Sequence, residues 1–306
     1  MWRRIVNIVV MILAWSAILA YIIYASSLTR QHRNSLQVQS VEIEIKESSA
    51  TSRLADSDLI ENQLRQAGFS LVGENIEDIN ALGITELLSK NGFVERVDVY
   101  ASLSGKVHID ITQHKPIVRL RTEGYNAYMT RDGYIFRSPE GSAYHTAVVT
   151  GSFRPLTPPN YEGHIETYLQ ERLSHLHKQS VGIQISNGKE WESSREYRRI
   201  ATQERRLRER YDDICKLTNI VDRISNHPFW GAEVVQFVAD TTSNGAISLS
   251  MIPRSGDFTI TFGELQRIDE KLEKLEKFYN DGLTHLGWDR FKTIDIRYDK
   301  QVICRE

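Results

Sequence analysis

The stretch from Ile5 to Leu28 carries no charged residue, and no other segment of the 306-residue chain is long enough to cross a bilayer. About 20 consecutive apolar residues span the hydrocarbon core. Each central Ile, Val or Leu favours insertion by a few tenths of a kcal/mol, enough to outweigh Asn7 and Ser16. Trp2, Tyr21 and Tyr24 lie near the ends of the run, where aromatic rings prefer the interface. A cleaved signal peptide shares the Arg3-Arg4 head and the small residues at Ala25 to Ser27, but its apolar core is only about 7–15 residues long. We therefore expect a retained single-pass anchor that includes Ile5, Ile12, Leu19 and Ile23. Arg3, Arg4 and the terminal amine precede it, against Arg30 and Arg33 after it. That slight bias and the very short tail place residues 1–4 in the cytoplasm and the body outside, most economically in a bacterial periplasm.

The chain beyond the anchor is long enough for two ordinary domains. The net charge of −2 exerts no overall pull toward nucleic acid. Cys215 and Cys304 are the only cysteines, so no disulfide framework supports the fold. They could pair in an oxidising compartment, but two separate half-buried thiols are the favoured reading.

Beyond a polar tether over residues 29–37, Val41, Ile43 and Ile45 alternate with Glu42, Glu44 and Lys46, the pattern of a half-buried strand. Asp56 or Ser57 can cap a helix with Ile60, Leu64 and Ala67 on one stripe and Gly68 past its end. A second helix carries Ile84, Leu87 and Leu88. Two strands come next, with Val97 and Val99 inward on one and Val107, Ile109 and Ile111 on the other, joined at Gly105. This order of strand, helix, helix, strand, strand, together with the segment Gly92-Phe93-Val94-Glu95-Arg96-Val97-Asp98-Val99, resembles a POTRA domain over residues 38–118. Pattern alone also fits other ferredoxin-like α+β modules; the position just after an anchor favours POTRA.

From Tyr125 the pattern is strands separated by turns: Ala127 to Thr130, Asp132-Gly133, Tyr134 to Phe136, and Ala147 to Thr150 ending at Gly151. Residues 165–178 read as a helix with Ile165, Leu169, Leu173 and Leu176 on one stripe. Residues 195–225 read as a longer one, its arginines interleaved with Glu204, Glu209, Asp212 and Asp213 as on a solvated face. Ala232 to Ala239, Gly245 to Met251 and Asp257 to Phe262 predict an antiparallel meander. Leu265 to Leu286 predicts one amphipathic helix, with Glu270–Lys274 and Glu273–Lys277 pairs outside. Ile294, Ile296 and Tyr298 then alternate with Asp295, Arg297 and Asp299.

No phosphate loop, nucleophile elbow, paired-cysteine spacing or zincin motif occurs. His175 and His177 near His164, and His108 with Asp110 and His114, are the nearest approaches to metal-ligand sets. Residues two apart on a helix diverge, and a solvated strand edge accounts for the second group. Trp191, Phe229 and Trp230 are expected to be buried under the long helix. We therefore expect no catalytic residue, no cofactor and no metal.

Thr261-Phe262-Gly263, the Lys-Leu-rich helix, and Ile294-Asp295-Ile296-Arg297-Tyr298 with Val302-Ile303 resemble the β domain of the bacterial cell-division family FtsQ/DivIB. Asp132-Gly133-Tyr134-Ile135-Phe136 and Val149-Thr150-Gly151 extend the likeness over most of the chain. The expected fold is α+β: an anchor over residues 5–28, a linker over 29–37, a POTRA-like module over 38–118, and a mixed domain with an antiparallel sheet over 119–306. A helical insertion at about 158–225, longer than the family pattern, has no assigned role, and Glu306 stands where some members carry an aromatic. The resemblance implies a non-enzymatic scaffold at the septum whose partners are single-pass division proteins of the FtsB and FtsL type, with no nucleic acid and no small-molecule substrate. The expected partner site is the terminal edge strand, Tyr298, Asp299, Lys300, Gln301, Val302 and Ile303, offering main-chain groups for strand addition. Its truncation after Tyr298 is expected to abolish partner binding. A membrane-anchored envelope hydrolase or peptidoglycan-binding enzyme is the alternative from another class, requiring a carboxylate cluster or paired nucleophile in a cleft built by about 158–225. A POTRA-bearing export factor would need repeated modules or a barrel.

Overall fold

The computed structural model describes Met11 and residues 13–26, 36–46, 54–139, 143–187 and 195–306. Residues 13–26 are helical, and Leu19 and Ile23 are exposed there. Ile5, Ile12 and the rest of the expected span lie outside the described residues; among those described, no helix is long and apolar enough to cross a membrane. The body divides into two compact units, with the break between Gln113 and His114.

In the smaller unit β1 (Ser40–Lys46), α1 (Ser57–Gln66), a 3-10 turn (Ile76–Asp78), α2 (Ala81–Leu88), β2 (Val94–Ala101) and β3 (Lys106–Gln113) succeed one another along the chain. The sheet runs β1-β3-β2, with β1 parallel and β2 antiparallel to β3. Parallel neighbours need a long crossover, and the two helices and β2 supply it. Period-two alternation buries Val107, Ile109 and Ile111 completely, in one core with Ile60, Leu64, Ile84 and Leu88. Each such side chain contributes about 1.5–3 kcal/mol. Val41, Ile43 and Ile45 stay half-buried because β1 is an edge.

The larger unit begins with the meander β4 (Pro116–Thr122), β5 (Tyr125–Thr130) and β6 (Tyr134–Arg137). The expected module boundary at Val118 thus falls inside β4. Then come β7 (Ala147–Thr150), β8 (Gly163–His164), α3 (Ile165–Asn187), α4 (Arg195–Ser225), a helical turn α5 (Trp230–Glu233), β9 (Val234–Thr241), β10 (Ile247–Pro253), β11 (Thr259–Glu264), α6 (Ile268–Lys277), β12 (Thr293–Asp295) and β13 (Ile303–Arg305). All ten strands form one sheet in the order β13-β12-β11-β10-β9-β7-β4-β5-β6-β8. The sheet is mixed, not antiparallel throughout: β4–β7, β7–β9 and β11–β12 run parallel. Strand β7 is the seam between two antiparallel meanders.

That seam explains Val149-Thr150-Gly151. Thr150 Oγ1 accepts from Gln236 Nε2 (2.7 Å), and the backbone N–H and hydroxyl of Ser152 donate to Asp240 (2.9 and 2.7 Å). Between them Gly151 has φ +114°, and a Cβ there would stand 2.2 Å from the carbonyl oxygen of Ala239. Helix α4 contributes Ile214, Leu217, Ile220, Val221 and Ile224 to the core, and Arg131 ties the β5–β6 turn to it by donating to both oxygens of Asp222 (3.1 and 2.9 Å).

Several elements depart from their sequence patterns. Helix α3 continues through Gly182 to Asn187; a single glycine inside a helix costs only about 1 kcal/mol relative to alanine and need not end it. The single helix expected to Leu286 is α6, a π-helical turn (Phe278–Leu283) and a helical turn (Thr284–Leu286). Widening there accompanies burial of Tyr279, which packs edge-on against Trp230, Phe229 and Trp288 and donates to Glu233 (3.2 Å). Trp230 is buried, Phe229 is 45 % exposed, and Trp191 lies outside the described residues. Neither the Glu270–Lys274 nor the Glu273–Lys277 pair is among the ion pairs of the described residues; Lys274 is engaged elsewhere.

Candidate partner interface at the terminal edge

Strand β11 ends in a bulge: opposite Leu249 and Ser250 its partners skip from Gly263 to Thr261. Gly263 has φ +77°, and a Cβ there would lie 2.5 and 2.6 Å from Cγ and Cδ of Arg297. The missing side chain leaves room for the stem of Arg297, whose guanidinium reaches Asp295. Nε donates to both carboxylate oxygens (2.9 and 3.1 Å) and Nη2 to Oδ2 (2.6 Å), while the Arg297 backbone N–H adds a fourth bond (3.1 Å). Asp295 is 3 % exposed. Burial alone would push its carboxyl up, but the Arg297 hydrogen bonds and charge, with help from Arg305, hold it below the usual carboxylate range. The same pairing raises Arg297.

Helix α6 begins beside this pair. Its first-turn neighbour Arg267 adopts a left-handed conformation (φ 51°, ψ 46°), pairs with Asp299 and donates to the Arg297 carbonyl (3.4 Å). Lys274 donates to the carbonyls of Ile296 (2.9 Å) and Tyr298. Lys271 donates to the Glu264 carbonyl (2.7 Å) with its ammonium 4.5 Å from the Phe262 ring centre. Three cations thus fasten carbonyls at the end of β11 and in the chain leaving β12. Lys271 is 4 % exposed; burial, and secondarily the charges of Arg267 and Lys274, lower its pKa to about 8.

The sign of that shift is testable. Above the folded value Lys271 is neutral in the native state, while the unfolded chain still holds its proton to about pH 10.4. Stability therefore rises with pH in this window. Relative to Lys271→Met, the parent should gain about 1 kcal/mol between pH 7 and 9 in urea unfolding. Parallel pH dependences would remove the buried ammonium from consideration.

The expected partner residues do not form one strand. Tyr298, Asp299 and Lys300 make an exposed turn, with Lys300 at φ 55°, and Gln301 and Val302 lead into β13. Of the six, only Ile303 lies in the edge strand, paired with Asp295; Cys304 pairs with Ile294 and Arg305 with Thr293. The alternating pattern misleads because Lys274 and Arg267 bend the chain after Ile296. Strand β13 ends the sheet, so one side of its backbone is unpaired among the described residues. Cys304 is half-buried against the core, and Cys215, equally half-buried on α4, is likewise a free thiol. Between α6 and the turn is an open cleft of about 540 Å³, lined by Arg267, Lys271, Lys274, Lys277, Arg297 and Lys300 against Glu270, Glu273 and Asp299. Such a surface attracts carboxylates.

Two other clusters have different characters. On β1–β3, Lys46 donates to the buried Asp110 (2.7 Å), and Tyr100 stacks on His108 at 4.9 Å. In the larger unit His114 stacks on Tyr134 at 4.1 Å and His164 lies 3.8 Å from Asp132. His175 and His177 are exposed on α3. Among the described residues no group of three His, Cys, Asp or Glu could hold a metal ion. Sequence reading missed the roles of Gly263, Lys271, Lys274 and the Asp295–Arg297 pair. Their only advance signals were a glycine ending a β-rich segment and two opposite charges two residues apart, hence on one strand face.

Two family models match the chain. One, described as FtsQ/DivIB, C-terminal related, covers residues 115–305, and the other, a POTRA-like domain, covers residues 37–112. No curated protein matches it.

Proposed function

We propose that this chain, which belongs to the FtsQ/DivIB family, is a non-enzymatic scaffold of the bacterial division machinery, held in the inner membrane by residues 5–28 with its body in the periplasm. The observation that carries this reading is the family match over 115–305, whose last strand is an open sheet edge beside a cationic cleft. The described part of the apolar run supports the anchor: Leu13, Trp15, Ile18, Leu19, Ile22 and Ile23 are all more than half exposed, and a helix apolar all round requires a nonaqueous surrounding.

In this reading the partners are single-pass division proteins of the FtsB and FtsL type. A partner segment extends the sheet along Ile303–Arg305, and its carboxylates face the lysines and arginines of the cleft. Tyr298, Asp299, Lys300, Gln301 and Val302 form the rim. Main-chain bonds supply generic affinity, and the rim charges supply selectivity and speed of encounter.

Photocrosslinking in dividing cells tests this. Benzoylphenylalanine at Tyr298, Gln301 or Arg305 should yield adducts with a small single-pass division protein, and the same probe at His164 on the opposite sheet edge should not. Adducts from His164 alone would move the interface to β8. A fluorescent fusion spread evenly over the envelope, without a midcell band, would count against the division role itself.

A further inference from the structure

We propose that the end of the smaller unit at which the chain enters is a lipid-contacting surface, with Val72 and Leu103 seated in the membrane interface. The entering residues 36–39 are hydrogen-bonded between two turns. The Val38 N–H donates to Glu74 O and the Gly73 N–H to Val38 O, both at 2.9 Å; the Gln39 N–H donates to Gly105 O at 2.7 Å. The Ile76 N–H reaches Leu36 O at 3.0 Å. The turns therefore bracket the point where the polypeptide arrives from its apolar run.

Both turns have the same character. Phe69-Ser70-Leu71-Val72-Gly73 and Ala101-Ser102-Leu103-Ser104-Gly105 carry no charge. Leu71 is buried, whereas Val72 is 62 % and Leu103 is 74 % exposed. Leu82, 70 % exposed, opens α2 a few residues beyond Ile76. Two apolar tips do not make the contiguous patch of several hundred Å² that marks a protein-docking face. Single apolar side chains at turn tips, with a charge only where Glu74 and Lys106 follow the two segments, suit the boundary between headgroups and acyl chains.

The covalent tether makes that occupant available. Seven residues separate Leu28 from Leu36, so the entry point lies within about 30 Å of the end of the apolar run even at full extension. At such effective concentration a weak insertion is sufficient. The inference rests on the anchor reading above and adds that the module leans on the bilayer through these two tips.

The test uses the full chain with Cys215→Ala and Cys304→Ala, reconstituted in phosphatidylethanolamine–phosphatidylglycerol vesicles. A single cysteine carrying an environment-sensitive fluorophore replaces Val72, Leu103, Leu19 or, at the far end of β2, Glu95. With a nitroxide near the acyl-chain head, labels at Val72 and Leu103 should lose most of their emission and the label at Glu95 almost none. A quenched Leu19 label with unquenched Val72 and Leu103 labels overturns the proposal and leaves the anchor standing; a protein partner for the tips would give this result. An unquenched Leu19 label removes the anchor and the proposal with it.

Discussion

Gly151→Ala is expected to destabilise the larger unit by about 3–5 kcal/mol, a large share of a domain's usual 5–15 kcal/mol. Two effects combine. A non-glycine residue at φ +114° is strained by about 1–3 kcal/mol. Its Cβ would also stand 2.2 Å from the Ala239 carbonyl oxygen, which belongs to a paired strand and cannot rotate aside. Forcing such an atom in costs about another 1–3 kcal/mol. Gly124→Ala separates the two effects, because Gly124 also has positive φ (+69°) but has nothing within 4 Å of an added Cβ. It should cost only about 1–2 kcal/mol. Urea midpoints for the two variants would test this, and equal losses would mean that the contact between β7 and β9 is not tight.

Arg297→Ala should cost about 2–3 kcal/mol. Removing one partner of a fully buried ion pair costs about 3–5 kcal/mol, and we discount that range because the Arg297 side chain is 46 % exposed and water can replace part of what is lost. Asp295, buried, is the member left without its cation. Restoring neutrality with Asp295→Asn in the same chain should recover part of the loss. The pH dependence has a definite sign. A carboxyl held below its unfolded value gives full stabilisation above about pH 4, lost as pH falls toward the folded value. Parent protein should therefore weaken more steeply than Arg297→Ala between pH 5 and 3. Equal slopes would show that Asp295 does not depend on Arg297 for its charge.

The smaller unit was readable because strict alternation in β1 and β3 and the i, i+4 spacing of Ile60 and Leu64 match their burial. The β9–β11 meander was equally legible from Asn244-Gly245 and its flanking apolar residues. The terminal site was less so. Ile294 to Tyr298 alternates like a continuing strand, yet the carbonyls of Ile296 and Tyr298 are taken by Lys274, which lies 22 and 24 residues earlier. Local patterning carries no information about a partner that distant in sequence. The two-residue strand β8 has no pattern to detect, and the strand expected from Ala232 starts only at Val234, because the N–H groups of Ala232 and Glu233 bond back to the Phe229 carbonyl in the turn Trp230–Glu233. The parallel placement of β7 was invisible for the same reason: its neighbours β4 and β9 lie far away on either side.

That placement governs when the larger unit can exist. Strand β7 is complete only when β9 has arrived, and the two long helices intervene between them in sequence. A chain emerging from its N-terminus therefore presents β4 to β7 with one open seam until more than eighty further residues are available. Pairings of this separation close slowly, and an unpaired inner strand is an aggregation template in the interval. The two halves of the sheet should therefore gain protection from hydrogen exchange together, with the terminal edge strand β13 the last piece to find its place.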